Sequence, residues 1–93
     1  MSVTHVEGEK AGKVMLYALS TCVWCKKTRA LLEDLGIEFD YVYVDLLSEH
    51  EEESAINEIK KHNPDGAMPT LVIDDEKCII GFKEDDIREA LGK

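Results

Sequence analysis

The chain has 93 residues, 44% of them apolar and 33% charged, and a formal net charge of −9. This length suits one domain with one hydrophobic core, and the apolar fraction excludes a disordered chain. The negative charge argues against nucleic acids and anionic membranes as partners, because both are bound through clustered Lys and Arg. The opening segment MSVTHVEGEK lacks the basic start and apolar run of a signal peptide, and no window holds the ~20 apolar residues of a membrane helix. A cytoplasmic location is therefore expected.

The first half of the chain predicts a β-α-β unit. The apolar run from Val14 to Ala18 predicts a strand that is buried on both faces. Apolar residues at helical spacing from Val23 predict a helix that stops at Gly36. The alternating segment EFDYVYV, which begins at Glu38, predicts the second strand.

The second half predicts a helix, a hairpin and a last helix. The SEHE sequence that begins at Ser48 has the Ser-x-x-Glu spacing of a capping box, and its helix is expected to reach about His62. TLVI and CIIGF, which begin at Thr70 and Cys78, are close enough to form an antiparallel hairpin. EDDIREAL predicts a helix that ends at Gly92. The predicted order is β-α-β-α-β-β-α, an α/β domain with a four-stranded mixed sheet flanked by helices.

The cysteines of the CVWC sequence, Cys22 and Cys25, lie at the start of the first predicted helix. A thiol attacks a disulfide only as its thiolate, and the N–H groups and dipole of a helix N-terminus favour an anion there. Lys26, four residues after Cys22, adds a cation nearby. Residues three apart on a helical turn can reach disulfide geometry. The pattern favours a redox pair in which exposed Cys22 attacks a disulfide and shielded Cys25 resolves the mixed disulfide.

Two other interpretations of this pair stay open. A zinc site also uses Cys-x-x-Cys, but it needs four ligands, and the remaining candidates, Cys78 and the three histidines, are scattered singly. Cysteine is also often a small buried core residue without chemistry. A disulfide-stapled scaffold is disfavoured, because such proteins carry an even and high number of cysteines.

Together with Met68-Pro69 before a strand, these features make the chain resemble the thioredoxin-fold glutaredoxins. The match runs from about Val14 to Leu91 through CVWC, MPT before a strand and IIGF before the last helix. The resemblance implies a glutaredoxin-like domain over residues 14–93, after a flexible lead-in of residues 1–13. It also implies a cis Met68-Pro69 bond and a Met68 main chain that hydrogen-bonds an extended substrate.

The resemblance further implies a thiol-disulfide oxidoreductase of cell redox homeostasis and electron transport. It would have no bound cofactor, would act as a monomer on protein or small-molecule disulfides, and would be reduced by glutathione or a thioredoxin-reductase-type donor.

GFKEDDI resembles a segment of the glutaredoxin-like hydrogen donors of ribonucleotide reductase, and Asp85 falls on that segment's Asp. Leu19 and Phe82 stand where glutaredoxins usually have Lys and Gly. The expected substrate-binding residues are Trp24, Lys26, Met68, Pro69, Phe82 and Asp85. An iron-sulfur carrier that uses Cys22 and an external thiol, or a zinc-binding module, is the alternative.

Overall fold

A computed structural model of the protein describes residues 3–93. These residues form five strands and three helices. In order they are β1 Thr4–Val6, β2 Val14–Ala18, α1 Val23–Asp34, β3 Phe39–Tyr43, α2 Glu49–His62, β4 Thr70–Ile73, β5 Lys77–Ile80 and α3 Glu84–Leu91, with a 3₁₀ turn at Val44–Leu46 between β3 and α2. The α/β class is as predicted, and β2, β4 and α3 have the predicted bounds.

The strands form one mixed sheet in the order β1-β3-β2-β4-β5. β2 and β3 run parallel, with Leu16 beside Tyr41, and α1 connects them. β4 runs antiparallel to β2, with Leu71 beside Leu16, and β5 completes the predicted hairpin with β4. β2 is therefore the central strand of the sheet. The chain passes from the end of β2 directly into the loop before α1.

The expectation of four strands is wrong, because part of the predicted lead-in forms β1. This strand pairs antiparallel with β3, and Thr4 lies beside Tyr41. The chain continues along the sheet edge, where the N–H of Glu9 donates to the carbonyl of Gly36 at 2.8 Å. β1 is almost entirely exposed and has no apolar run, so only its long-range partner identifies it as a strand. Residues 1 and 2 of the lead-in lie outside the described residues.

Helices cover both faces of the sheet, as predicted. Side chains alternate between the two faces of a strand, so each face has its own core. One core contains Leu16, Leu32, Phe39, Leu71 and Ile87 and lies under α1 and α3. The other contains Tyr17, Val42, Ala55, Ile59 and Val72 and lies under α2. No helix within residues 3–93 is long and apolar enough to cross a membrane.

The predicted helix ends match the structure. The Ser48 hydroxyl accepts the N–H of Glu51 at 3.3 Å, which is the N-cap bond of the predicted capping box, and it donates to the Glu51 carboxylate at 3.1 Å. Gly92 follows α3 with a positive φ of 70°, the left-handed conformation that glycine adopts without a Cβ penalty.

Candidate active site

The loop between β2 and α1 positions Cys22 at the start of the helix. Cys22 is the N-cap of α1, with an extended backbone, and its sulfur accepts the N–H of Cys25 at 3.2 Å. Its own N–H donates to the carbonyl of Leu19 at 3.2 Å, and its carbonyl accepts the N–H of Lys26 at 3.1 Å. A sulfur that receives an N–H at a helix start lies where negative charge is stabilised.

The two sulfurs of the pair differ in accessibility. Both residues are free thiols; Cys22 is half-buried, whereas Cys25 is only 1% exposed. Burial, followed by the hydrogen bond that Cys25 makes to Cys22, raises the pKa of the Cys25 thiol to about 12. Cys25 is therefore protonated at neutral pH, and solvent reaches the pair at Cys22.

A carboxylate that sequence reasoning missed holds the loop before Cys22. The N–H and hydroxyl of Ser20 donate to the two oxygens of Asp45, at 2.9 and 2.5 Å. These bonds hold the pKa of Asp45 below its usual value, so the side chain stays charged. The charge of Asp45 also contributes to raising the pKa of Cys25. Asp45 lies 20 or more residues from the pair in sequence, so only the folding of the 3₁₀ turn against the loop reveals it.

Two aromatic rings form an exposed surface beside the pair. The ring of Trp24 stacks on that of Phe82, with centroids 6.1 Å apart and planes 24° apart, and the ammonium of Lys27 lies 4.7 Å from the Trp24 ring centre. Trp24 is 56% exposed. The two rings line a groove of about 320 Å³, here called the aromatic groove, with Met68, Pro69, Gly81 and Lys83.

The segment before β4 contributes the Met68-Pro69 bond, which is cis as predicted. Pro69 is buried, and its carbonyl accepts the N–H of Gly81 at 2.9 Å. Met68 is half-buried and packs against both cores of the protein. Within residues 3–93, no hydrogen bond uses the N–H or C=O of Met68. The N–H and C=O groups of Met68 therefore keep their hydrogen-bonding capacity within the described residues.

A buried polar network fixes this segment, and sequence reasoning did not identify it. The amide of Asn63, only 1% exposed, donates to the carbonyl of Ala67 at 3.1 Å and to the hydroxyl of Thr70 at 3.3 Å. The Thr70 hydroxyl donates to the same carbonyl at 2.6 Å, and the Asn63 oxygen accepts the N–H of Asp65 at 3.2 Å. The HNPDG sequence predicts only a chain break here, because an asparagine before a proline is common in exposed turns.

Met68 also lines a second groove, of about 300 Å³, here called the acidic groove. Its other lining residues come from the loop before Cys22, the 3₁₀ turn, α2 and the turn after α2. They are Leu19, Val44, Asp45, Glu52, Ile56, Lys60, Asp65 and Gly66. The lining residues include three carboxylates, one ammonium and four apolar side chains, so the groove carries a net negative charge.

The other predicted site residues are more remote from these grooves. Lys26 is exposed on α1, and Asp85 is exposed in the first turn of α3; neither lines the aromatic or the acidic groove. Their roles stay predictions. Within residues 3–93, one group of three side chains has metal-ligating atoms close together, formed by His5, Glu7 and Glu38, and it includes no cysteine.

An accessible thiol and a buried thiol at a helix start, on a sheet of this topology, define a thiol-redox protein of the thioredoxin fold. The family model for glutaredoxin matches residues 14–79. The chain belongs to the glutaredoxin family, as its motifs predict, and that family generally acts on disulfide substrates with a reductase or glutathione.

Several relatives support this assignment. The crystal structure of the glutaredoxin from Methanosarcina mazei Go1 is 58% identical, with a TM-score of 0.92 over 98% of this chain and 88% of that one. The methanoredoxin of Methanosarcina acetivorans is 56% identical, with a TM-score of 0.91 over 92% of this chain and 90% of that one. An uncharacterized glutaredoxin-like 8.6 kDa protein in the rubredoxin operon of Clostridium pasteurianum is 29% identical over 80 residues, or 86% of this chain and 99% of the relative.

Proposed function

We propose that the protein is a dithiol oxidoreductase that reduces disulfides, with Cys22 as nucleophile and Cys25 as resolving thiol. The observation that carries this proposal is the difference in accessibility between the two sulfurs. Cys22 is accessible and receives an N–H at the helix start, whereas Cys25 is buried with a raised pKa. A substrate disulfide can therefore meet the Cys22 sulfur first.

The first step forms a mixed disulfide. The Cys22 thiolate attacks one sulfur of the substrate, a new S–S bond forms between them, and the substrate's own S–S bond breaks. The second substrate sulfur leaves with the electron pair and takes up a proton from water. One disulfide has been exchanged for another, so the Cys22 sulfur is now at the disulfide level and the released substrate sulfur has been reduced to a thiol.

The second step releases the product. Burial raises the pKa of Cys25 most, and the hydrogen bond to Cys22 and the negative charge of Cys22 raise it further in the free protein. The covalent bond to substrate removes the charge and weakens the hydrogen bond, so the pKa of Cys25 falls when its thiolate is needed. Cys25 then attacks Cys22, the remaining substrate sulfur leaves as a thiol, and the protein has lost two electrons to form its Cys22–Cys25 disulfide.

Substrate would lie across the Met68 main chain. Its open N–H and C=O groups are suited to pair with an extended segment, as in strand addition. Trp24 and Phe82 would supply a flat apolar contact beside the reacting sulfur. Lys26 and Asp85 are proposed to contact partners further out. We expect protein or small-molecule disulfides as substrates, a monomer as the active form and the reducing cytoplasm as the location.

Serine variants of the pair test the roles of the two sulfurs. Cys22→Ser should abolish disulfide reduction, whereas Cys25→Ser should accumulate a covalent mixed disulfide that intact-mass spectrometry detects. Cys78→Ser is the control, because Cys78 lies on β5 and is expected to leave turnover unchanged. Retained activity in Cys22→Ser would refute the assignment. Visible absorbance after anaerobic purification, or one tightly bound zinc per chain, would favour the iron-sulfur or zinc alternative instead.

The electron donor is proposed to be a thioredoxin-reductase-type enzyme, with glutathione as the other donor to be tested. The acidic groove beside the pair disfavours glutathione, whose net charge is negative, and Leu19 supplies no cation for its carboxylates. The oxidised protein should be reduced faster by NADPH with thioredoxin reductase than by glutathione, and Trp24 fluorescence reports the change. Faster reduction by glutathione would reverse the choice of donor while leaving the roles of the cysteines intact.

A further inference from the structure

We propose that the acidic groove is a specificity subsite that takes a Lys or Arg side chain of a polypeptide disulfide substrate. The proposal rests on the disulfide reduction proposed above and adds the chemical class of its substrate.

Residues that line the acidic groove contact the segment that carries Cys22. The carbonyl of Leu19, a lining residue, accepts the N–H of Cys22 at 3.2 Å. Met68, a second lining residue, packs against the same core cluster as Cys22. Asp45, a third, holds the loop before Cys22 through Ser20. A side chain within a few residues of the substrate cysteine can therefore enter the groove while its sulfur meets Cys22.

The lining matches a side chain with an apolar stem and a cationic head. Leu19, Val44, Ile56 and Met68 give an apolar floor, and Val44 is only 3% exposed. The carboxylates of Asp45, Glu52 and Asp65 outnumber the single ammonium of Lys60. Lys and Arg side chains bury their methylene stems on apolar surface and keep their charge at a polar rim. An acidic side chain at the same place would meet like charge.

The Asp45 carboxylate is oriented before any substrate arrives. Ser20 donates to each of its oxygens, and each oxygen keeps a further lone pair for an external donor. A fixed acceptor loses less conformational entropy on binding than a free side chain does. The preference for a cation is therefore built into the fold of the loop and the 3₁₀ turn.

The geometry favours a polypeptide over a small disulfide. The acidic groove and the aromatic groove share Met68, whose main chain has no hydrogen-bond partner within the described part of the chain. An extended segment that pairs with Met68 would direct neighbouring side chains toward different grooves. At about 300 Å³ the acidic groove lies at the small end of ligand pockets, which suits one side chain.

Matched peptides test the proposal. Each peptide carries one cysteine, held as a mixed disulfide with 2-mercaptoethanol, and has Arg, Gln or Glu at one of the two positions on either side. The kcat/KM for reduction is measured at low ionic strength with the wild-type protein. At one position or more, the Arg peptide should be reduced about tenfold faster than the Glu peptide, with Gln between them. The ratio should shrink in 0.5 M salt, because exposed charges are screened there.

Two double variants of equal charge assign that ratio to the groove. Glu52→Gln/Asp65→Asn removes two groove carboxylates, and Asp34→Asn/Glu53→Gln removes two exposed carboxylates outside it. The Arg-to-Glu ratio should fall to about twofold in the first variant and stay near its wild-type value in the second. An equal fall in both would mean that only net charge matters and would overturn the proposal, as would a wild-type ratio near one at every position.

The neutral substrate bis(2-hydroxyethyl) disulfide separates this proposal from the proposed function. If the wild-type protein reduces the neutral disulfide but shows no Arg preference, the subsite is refuted and the oxidoreductase is retained. If it reduces neither the neutral disulfide nor any peptide, the proposed function itself fails.

Discussion

The raised pKa of Cys25 predicts a quantitative difference in its reactivity between the folded and the unfolded protein. Iodoacetamide reacts with thiolates, so the rate at each cysteine follows its thiolate fraction. Folding raises the pKa of Cys25 from 9.0 to about 12. At pH 8, below both values, the thiolate fraction should therefore fall roughly 1,000-fold on folding. Cys25 is also only 1% exposed, which can only slow the reaction further.

The assay is alkylation of the reduced protein at pH 8, with and without 8 M urea, followed by quenching and peptide mass spectrometry. Because a thiolate of higher pKa is the stronger nucleophile, part of this difference is offset, and the initial rate at Cys25 in the native protein should be at least about 30-fold below its rate in urea. Native Cys78 is half-buried and serves as the internal reference. Its alkylation rate shows how much burial alone slows the reaction of a thiol that has no partner cysteine. A native Cys25 rate within tenfold of the urea rate would refute both the shielding of Cys25 and its role as the second thiol to react.

Two stability predictions follow from buried contacts. Asn63→Ala should lower the free energy of unfolding by about 2 to 3 kcal/mol in urea denaturation, because the amide of Asn63 bonds Ala67 and Thr70 inside the protein. Asn57→Ala, on the exposed face of α2, is the control, and equal losses for the two would contradict the network. Gly8→Ala should cost about 1 to 3 kcal/mol, since its Cβ would lie 2.5 Å from the carbonyl carbon of Ile37. A thermal midpoint unchanged from wild type would show that the segment after β1 does not pack against Ile37 as described.

Most of the fold could be predicted because local patterns and helix caps agree with it. The apolar run at Val14–Ala18 and the glycine after Leu91 give the bounds of β2 and α3 as observed. β1 could not be predicted in the same way. Its three residues are mostly exposed, and its stability comes from pairing with β3, a partner more than 30 residues away in sequence. Edge strands of this kind carry little local signal.

The parts of the site that depend on spacing along the sequence could be predicted. The parts that depend on contacts between distant segments could not. Cys22 and Cys25 are adjacent on one helical turn, so their proximity and unequal burial follow from the sequence. Asp45 and Asn63 act through partners that other elements bring to them, and neither has a distinctive neighbour in sequence. The acidic groove likewise collects residues from four separate segments, and no single stretch of sequence contains its charge pattern.

The burial of Cys25 also constrains the kinetics of the proposed reaction. Substrate and reductant must both react at the sulfur of Cys22, because its partner is only 1% exposed. The two reactants therefore cannot be bound productively at the same time, and each must leave before the other is attacked. Turnover should follow a substituted-enzyme scheme, with parallel lines in double-reciprocal plots. The acidic groove, which is proposed to select substrates by charge, would then also determine how strongly a substrate inhibits the reaction of the enzyme with its reductant.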